Sequence, residues 1–190
     1  MAGVVIRTES GADTEFDAVV FATQANQVLP MLADASEDER AVLTSFRYGS
    51  VRILMHRDVR LAPHERAAWS PVNYLVCEAH DRPMISIWVN ALLPSYSSAE
   101  PLFQTINPHL EADPRLVVQQ SDLERPIVDL ETESWITRLD ALHREPDRRI
   151  FFCGSYAASG IPLLESAAVS ARNIQQHYGR RVRPRAAEPG

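Results

Sequence analysis

Two uninterrupted apolar runs, Val19-Val20-Phe21-Ala22 and Ile150-Phe151-Phe152-Cys153, set the tightest limit on what this chain can fold into. A strand with no polar residue on either side needs cover on both faces. Parallel sheets provide that cover, whereas antiparallel sheets commonly leave one face wet. The first run therefore predicts a strand inside an α/β layer, and the chain starts as though already within a fold. If the sheet neighbours of these runs are missing, both strands expose apolar surface and invite association with another chain.

The remaining elements follow from local signals. Val4-Val5-Ile6-Arg7-Thr8 and Phe16 to Thr23 read as two strands joined by the turn-forming Glu9-Ser10-Gly11-Ala12-Asp13. A short helix is expected near Asn26 to Leu32. Ser36 followed by Glu39 makes a capping box that opens a helix running to about Phe46. Further strands are expected at Val51–His56, Asn73–Cys77, Met84–Val89 and Leu116–Gln120. In the third of these, Ile85, Ile87 and Val89 share one face and Ser86, Trp88 and Asn90 the other. Trp135, Leu139 and Leu142 fall at helical spacing, which predicts a helix over 131–143.

Composition narrows the function class. Of 190 residues, 45% are hydrophobic and 23% charged, as in an ordinary globular protein, and the net charge is −6. An acidic balance argues against nucleic-acid and anionic-membrane partners. The one basic run, Arg180, Arg181, Arg183 and Arg185, lies in a tail (180–190) expected to be disordered. There is no apolar run of spanning length and no signal-peptide pattern at Met1–Val5, so a cytoplasmic location is expected. Cys77 and Cys153 read as buried free thiols.

Self-contained catalytic sets are missing from the sequence pattern. Ser155 and Ser159 do not form a G-x-S-x-G elbow. The histidines at 56, 64, 80, 109, 143 and 177 show no metal-ligand spacing, and His56 reads as structural. Neither a phosphate-loop pattern nor G-x-G-x-x-G occurs. What remains is the stretch from Arg149 to Ala167, where an apolar strand meets Gly154, a loop reaches Gly160, and a helix is expected to start at Pro162 with Ile161 as its N-cap. Its buried stripe is expected at Leu164, Ala168, Ala171, Ile174 and Tyr178, with Gly179 ending it. A helix start offers unpaired N–H groups to an anion or carbonyl, and small residues before it admit a flat ligand. On spacing alone, a plain strand-to-helix connection accounts for the segment as well.

Phe152-Cys153-Gly154-Ser155-Tyr156 with Gly160-Ile161-Pro162-Leu163-Leu164-Glu165-Ser166-Ala167 resembles the C-terminal flavin-contacting motif of the flavin-containing amine-oxidase superfamily. Phe16-Asp17-Ala18-Val19-Val20-Phe21-Ala22-Thr23 resembles its D-x-V-V-x-A-T strand. Ala68-Trp69-Ser70-Pro71-Val72-Asn73-Tyr74 and Thr105-Ile106-Asn107-Pro108 are similar to substrate-domain signatures of an NAD/FAD-binding branch. The likeness runs from about Val4 to Tyr178. It implies an α/β fold, α+β by strict count, equivalent to the C-terminal part of a two-domain FAD-binding protein. Residues 1–24 and 150–179 would be the remnant of the FAD-binding domain, and 25–149 the substrate domain with a mixed sheet.

The resemblance also implies FAD as cofactor. Gly154 and Ser155 would lie near the ribityl–phosphate region, with Ser155 standing where the family often has an acid. The backbone of Ile161, Leu163 and Leu164, after Gly160, would face the pyrimidine edge of the ring. Ala22 and Thr23 would approach the dinucleotide from the sheet. The implied activity is hydride transfer from a small organic substrate to flavin, with Tyr156, Trp88 and Asn90 as candidates for lining the site and no catalytic base assigned. Because the dinucleotide fingerprint is absent, two alternatives stand beside a working oxidoreductase: a non-catalytic partner that completes another flavoprotein subunit, and an inactive fragment. The expected partners are an N-terminal FAD-binding half or a second copy of the chain.

Overall fold

The computed structural model describes residues 3–97 and 100–179, so the basic tail expected to be disordered lies outside the described residues. The chain is mixed α and β and forms two compact units, one from 1–48 with 126–190 and one from 49–125. The boundaries thus fall near 48 and 126 rather than at 24 and 150.

The first unit begins with a hairpin, β1 (Val4–Arg7) against β2 (Asp13–Phe16), antiparallel and exposed on nearly every residue. The expected single strand from Phe16 to Thr23 is therefore broken. Phe16 ends β2, and β3 (Val19–Phe21) belongs to a different sheet. β3 pairs in parallel with β9 (Ile150–Phe152), Val19 opposite Ile150 and Phe21 opposite Phe152.

Helices α1 (Ala25–Val28), α2 (Glu37–Ser45) and α4 (Thr132–His143) pack with this pair around Val28, Leu43, Leu139, Leu142 and Phe152. Residues 25–48 and 126–149, expected in a substrate domain, thus belong with the parallel pair. The capping box forms as expected: Glu39 N–H donates to Ser36 Oγ at 3.2 Å, and Ser36 N–H to Glu39 Oε2 at 2.7 Å. Glu39 then ties α2 to the approach of β9 by accepting from buried Arg148 at 2.5 Å.

The two edges of the parallel pair differ. On the β9 side, Phe152 N–H donates to His143 Nε2 at 3.1 Å and Ile150 C=O accepts from Arg148 Nε at 2.5 Å. On the β3 side no strand pairs among the described residues, and Val20 is 48% exposed. Cover on both faces of the first apolar run is thus not found: the helix that carries Ile174 and Tyr178 packs on Phe151 of the second run but leaves Val20 half exposed. α5 (Leu164–Gly179) follows β9 and closes the unit.

The second unit is a five-stranded sheet in the order β5 (Val72–Leu75), β6 (Met84–Trp88), β7 (Phe103–Ile106), β4 (Tyr48–His56) and β8 (Val117–Pro126). β5 to β6, β6 to β7 and β7 to β4 are antiparallel. A one-turn helix, α3 (Val89–Leu92), leaves β6 where more strand was expected. One face buries Leu54, Met84 and Phe103 with an unusual polar set, His56, Ser86 and Thr105, each fully buried. His56 Nδ1 accepts from Asp58 N–H at 3.1 Å, so Nε2 carries the proton and bonds Thr105 Oγ1 at 2.7 Å. Thr105 in turn donates to Ser86 Oγ at 3.4 Å. Burial holds the His56 pKa below its usual value. Of the two non-catalytic placements expected for a histidine at this strand end, structural or exposed, the buried one is found.

Candidate functional site

In parallel sheets, ligands bind beyond the carboxyl ends of the strands. The parallel register of β3 and β9 brings two of the predicted segments to such an end. Cys153 N–H donates to Phe21 C=O at 2.8 Å, which sets Ala22-Thr23 beside Gly154-Ser155. A β-carbon at Gly154 would stand 3.2 Å from the Thr23 carbonyl and 2.9 Å from the Tyr156 ring, so a side chain there would force a neighbour to move. Ala22 and Thr23 are exposed and Ser155 half-buried.

The loop after Gly154 is held from α5. Ser170 Oγ accepts from Gly154 N–H at 3.0 Å and lies 3.0 Å from Gly154 C=O and 2.8 Å from Ala167 C=O. Ser166 Oγ donates to Ile161 C=O at 2.7 Å. These two serines with Ile174 are the buried stripe of α5. Leu164 is 90% exposed, and Ala168 and Ala171 are exposed as well. The expected apolar stripe is thus displaced, because serine hydroxyls that bond nearby carbonyls are cheap to bury. A spacing of four, Ser166–Ser170–Ile174–Tyr178, was the available signal, and it is hidden from any search for apolar residues alone.

α5 starts at Leu164, two residues after Pro162. Leu163 C=O accepts the first helical bond, from Ala167 N–H at 3.2 Å, which makes Leu163 the N-cap in place of Ile161. Leu163 N–H is bonded to Ile161 C=O at 2.8 Å and Gly154 N–H to Ser170, so neither is free for a ligand. Gly160 has φ +96° with open space where a side chain would be, and Ile161 and Leu163 beside it are exposed. The result is a bare, apolar lip flanked by Ser155 and the Pro126–Val128 segment, which share a cavity of about 10 Å³ with Tyr156.

The other candidates divide. Tyr156 is buried edge-on to Phe46 with ring centroids 4.8 Å apart. Its hydroxyl has no hydrogen-bond partner among the described residues, and burial pushes its pKa up. Trp88 and Asn90 belong to the second unit. Trp88 packs edge-on against Trp69 at 5.4 Å. Asn90 accepts from Leu102 N–H at 2.7 Å and donates to Glu100 C=O at 3.1 Å, fastening its own loop. Cys153 is buried, with its pKa raised by burial, but Cys77 is exposed at the end of a short strand, against expectation.

Among the described residues, no group of three or more His, Cys, Asp or Glu is placed to hold a metal ion. No helix there is long and apolar enough to cross a membrane. The sequence matches no protein-family model and no curated protein.

Proposed function

We propose that the chain is the C-terminal portion of a FAD-dependent oxidoreductase resembling the flavin amine oxidases, supplying one wall of a flavin site rather than a whole site. The observation that carries this reading is the crest where Ala22-Thr23 and Gly154-Ser155 meet at the ends of two parallel strands. The open lip at Gly160, Ile161, Leu163 and Leu164 supports a flat apolar ligand. The dinucleotide end fits less well, since the N–H of Gly154 is committed to Ser170 and no glycine-rich turn is present for a pyrophosphate. A bound flavin would supply the redox chemistry, acceptance of hydride from a small organic substrate, and the chain's own residues would position the ring and keep water from it. The open β3 edge favours a second reading, a non-catalytic partner that completes another flavoprotein subunit.

Titration of the ¹⁵N-labelled chain with FAD tests the proposal. Without a pyrophosphate cradle, binding should be weak, on the order of a millimolar, and amide shifts should gather at Ala22, Thr23, Gly154, Ser155, Gly160, Ile161, Leu163 and Leu164. Shifts elsewhere, or tight stoichiometric binding, overturn it. A separately supplied dinucleotide-binding half divides the two readings. Substrate-dependent flavin reduction in the mixture supports the oxidoreductase, and flavin uptake without reduction supports the partner.

A further inference from the structure

A second cavity, about 320 Å³, lies within the first unit between α4, α5 and β9. That volume is at the lower end of small-molecule sites. Its apolar lining is Ile136, Leu139, Phe152 and Ala157. Its charged groups are largely spent on one another: Asp140 takes His177 Nε2 at 2.8 Å on one oxygen and Arg144 at 2.5 Å on the other.

His143 is the exception. The ring is 5% exposed and lines the cavity. Nε2 accepts from Phe152 N–H, so the proton of the neutral ring sits on Nδ1, and this Nδ1–H has no partner among the described residues. Burial, with Arg148 and His177 nearby, pushes the His143 pKa down to about 4, against a smaller opposing effect of Asp140. The ring is therefore a fixed neutral donor. The carboxamides of Asn173 and Gln176, one helical turn apart on α5, add exposed donors at the rim.

We propose that this cavity binds the carboxylate of a small organic acid, with His143 Nδ1–H and the Asn173 and Gln176 amides donating to its oxygens and the apolar lining taking its body. A neutral imidazole locked in one tautomer serves as a hydrogen-bond donor without the cost of burying a second cation. This site is separate from the Gly154 crest and does not depend on the flavin reading.

The test is titration of the ¹⁵N-labelled protein with benzoate, using benzyl alcohol as a neutral body of similar shape and inorganic phosphate as an oxyanion without a body. Benzoate should give saturable shifts at the His143 ring nitrogens and the Asn173 side chain, and the other two probes should give little. Asn173→Leu, a surface change that leaves the core untouched, should weaken benzoate roughly threefold to tenfold, as expected for one lost hydrogen bond. His143→Gln, which keeps an acceptor for Phe152 N–H, should weaken it at least as much. Absence of saturable shifts at His143 up to tens of millimolar overturns the proposal. So does an equal response to benzyl alcohol, or unchanged binding in both variants.

Discussion

The two outermost strands, β8 of the five-stranded sheet and β3 of the parallel pair, handle the same problem in opposite ways. β8 is long and mostly exposed, and beside the polar Gln119 and Gln120 it carries Asp122, Glu124 and Arg125, charges that discourage pairing with another chain. β3 is three residues long and wholly apolar, leaves Val20 48% exposed, and has no strand beyond it among the described residues. The antiparallel sheet carries a buried polar-aromatic face of its own. A two-stranded parallel pair is too small to stand alone and borrows its stability from helices, α1, α2 and α4 against Phe152 and α5 against Phe151. The difference is between a charged edge in residues 49–125 and an open apolar edge in the other unit.

The largest test of that contrast is Phe103→Ala. Phe103 is fully buried on a central strand, its ring 5.0 Å from Trp69 and 5.7 Å from His56. Its loss should cost about 3–5 kcal/mol, read by urea unfolding with amide exchange over the five-stranded sheet. A cost under about 1 kcal/mol would mean that this sheet is not an independent core.

Acid comes next, through the edge of the parallel pair that is covered. His143 is held to about 4 from a usual 6.5, so the unfolded chain binds the proton more readily and stability is lost as pH falls. The loss should run from about pH 6.5 down to about pH 4 and approach 3 kcal/mol in all. Amide protection of Phe152 should fall over that window in parallel with global stability. His143→Gln should flatten the profile. A pH-independent unfolding free energy would refute the buried neutral ring.

Smaller effects attach to the open side. Leu163→Asp should raise stability by about 0.5–1 kcal/mol, because aspartate at an N-cap accepts from the free N–H groups of the first turn. A fall in melting temperature would place the start of α5 elsewhere. Val20→Lys should change folding stability by less than about 0.5 kcal/mol. It should nevertheless reduce association and binding of a hydrophobic dye, followed by light scattering and fluorescence. If the parent chain is already a dye-silent monomer, the open edge is not sticky and the contrast with β8 loses its meaning.

Legibility followed the range of the interactions. The box at Ser36 and Glu39, the helix carrying Trp135, Leu139 and Leu142, and the strand character of Ile150–Phe152 depend on residues within a turn or two of each other, and all were readable. β7 was missed as a strand, since Phe103–Ile106 is four residues long and makes sense only between β6 and β4. The break at Asp17 escaped notice because β2 and β3 read as one strand-like run, yet β2 joins the adjacent β1 while β3 joins β9 far along the chain. On β6, the face carrying Ser86 is buried more deeply than that of Ile85 and Ile87, because Thr105 on the neighbouring strand, itself bonded to His56, donates to its hydroxyl. At the crest, the residue types were visible but the commitments of the Gly154 and Leu163 N–H groups were not. Asp140, His143 and His177 meet only when α4 and α5 pack.

The grip of Ser170 on Gly154 has a mechanical side. One hydroxyl engages both the donor and the acceptor of a single residue at the end of β9, so α5 and the crest behave as geared parts rather than as neighbours. A slide or roll of α5 along its axis would drag that peptide with it and change the distance between Gly154 and the Thr23 carbonyl, where an added β-carbon would already crowd. Whatever docks on the outward face of α5, at Leu164, Ala168 and Ala171, therefore has a lever on the shape of the crest without touching it.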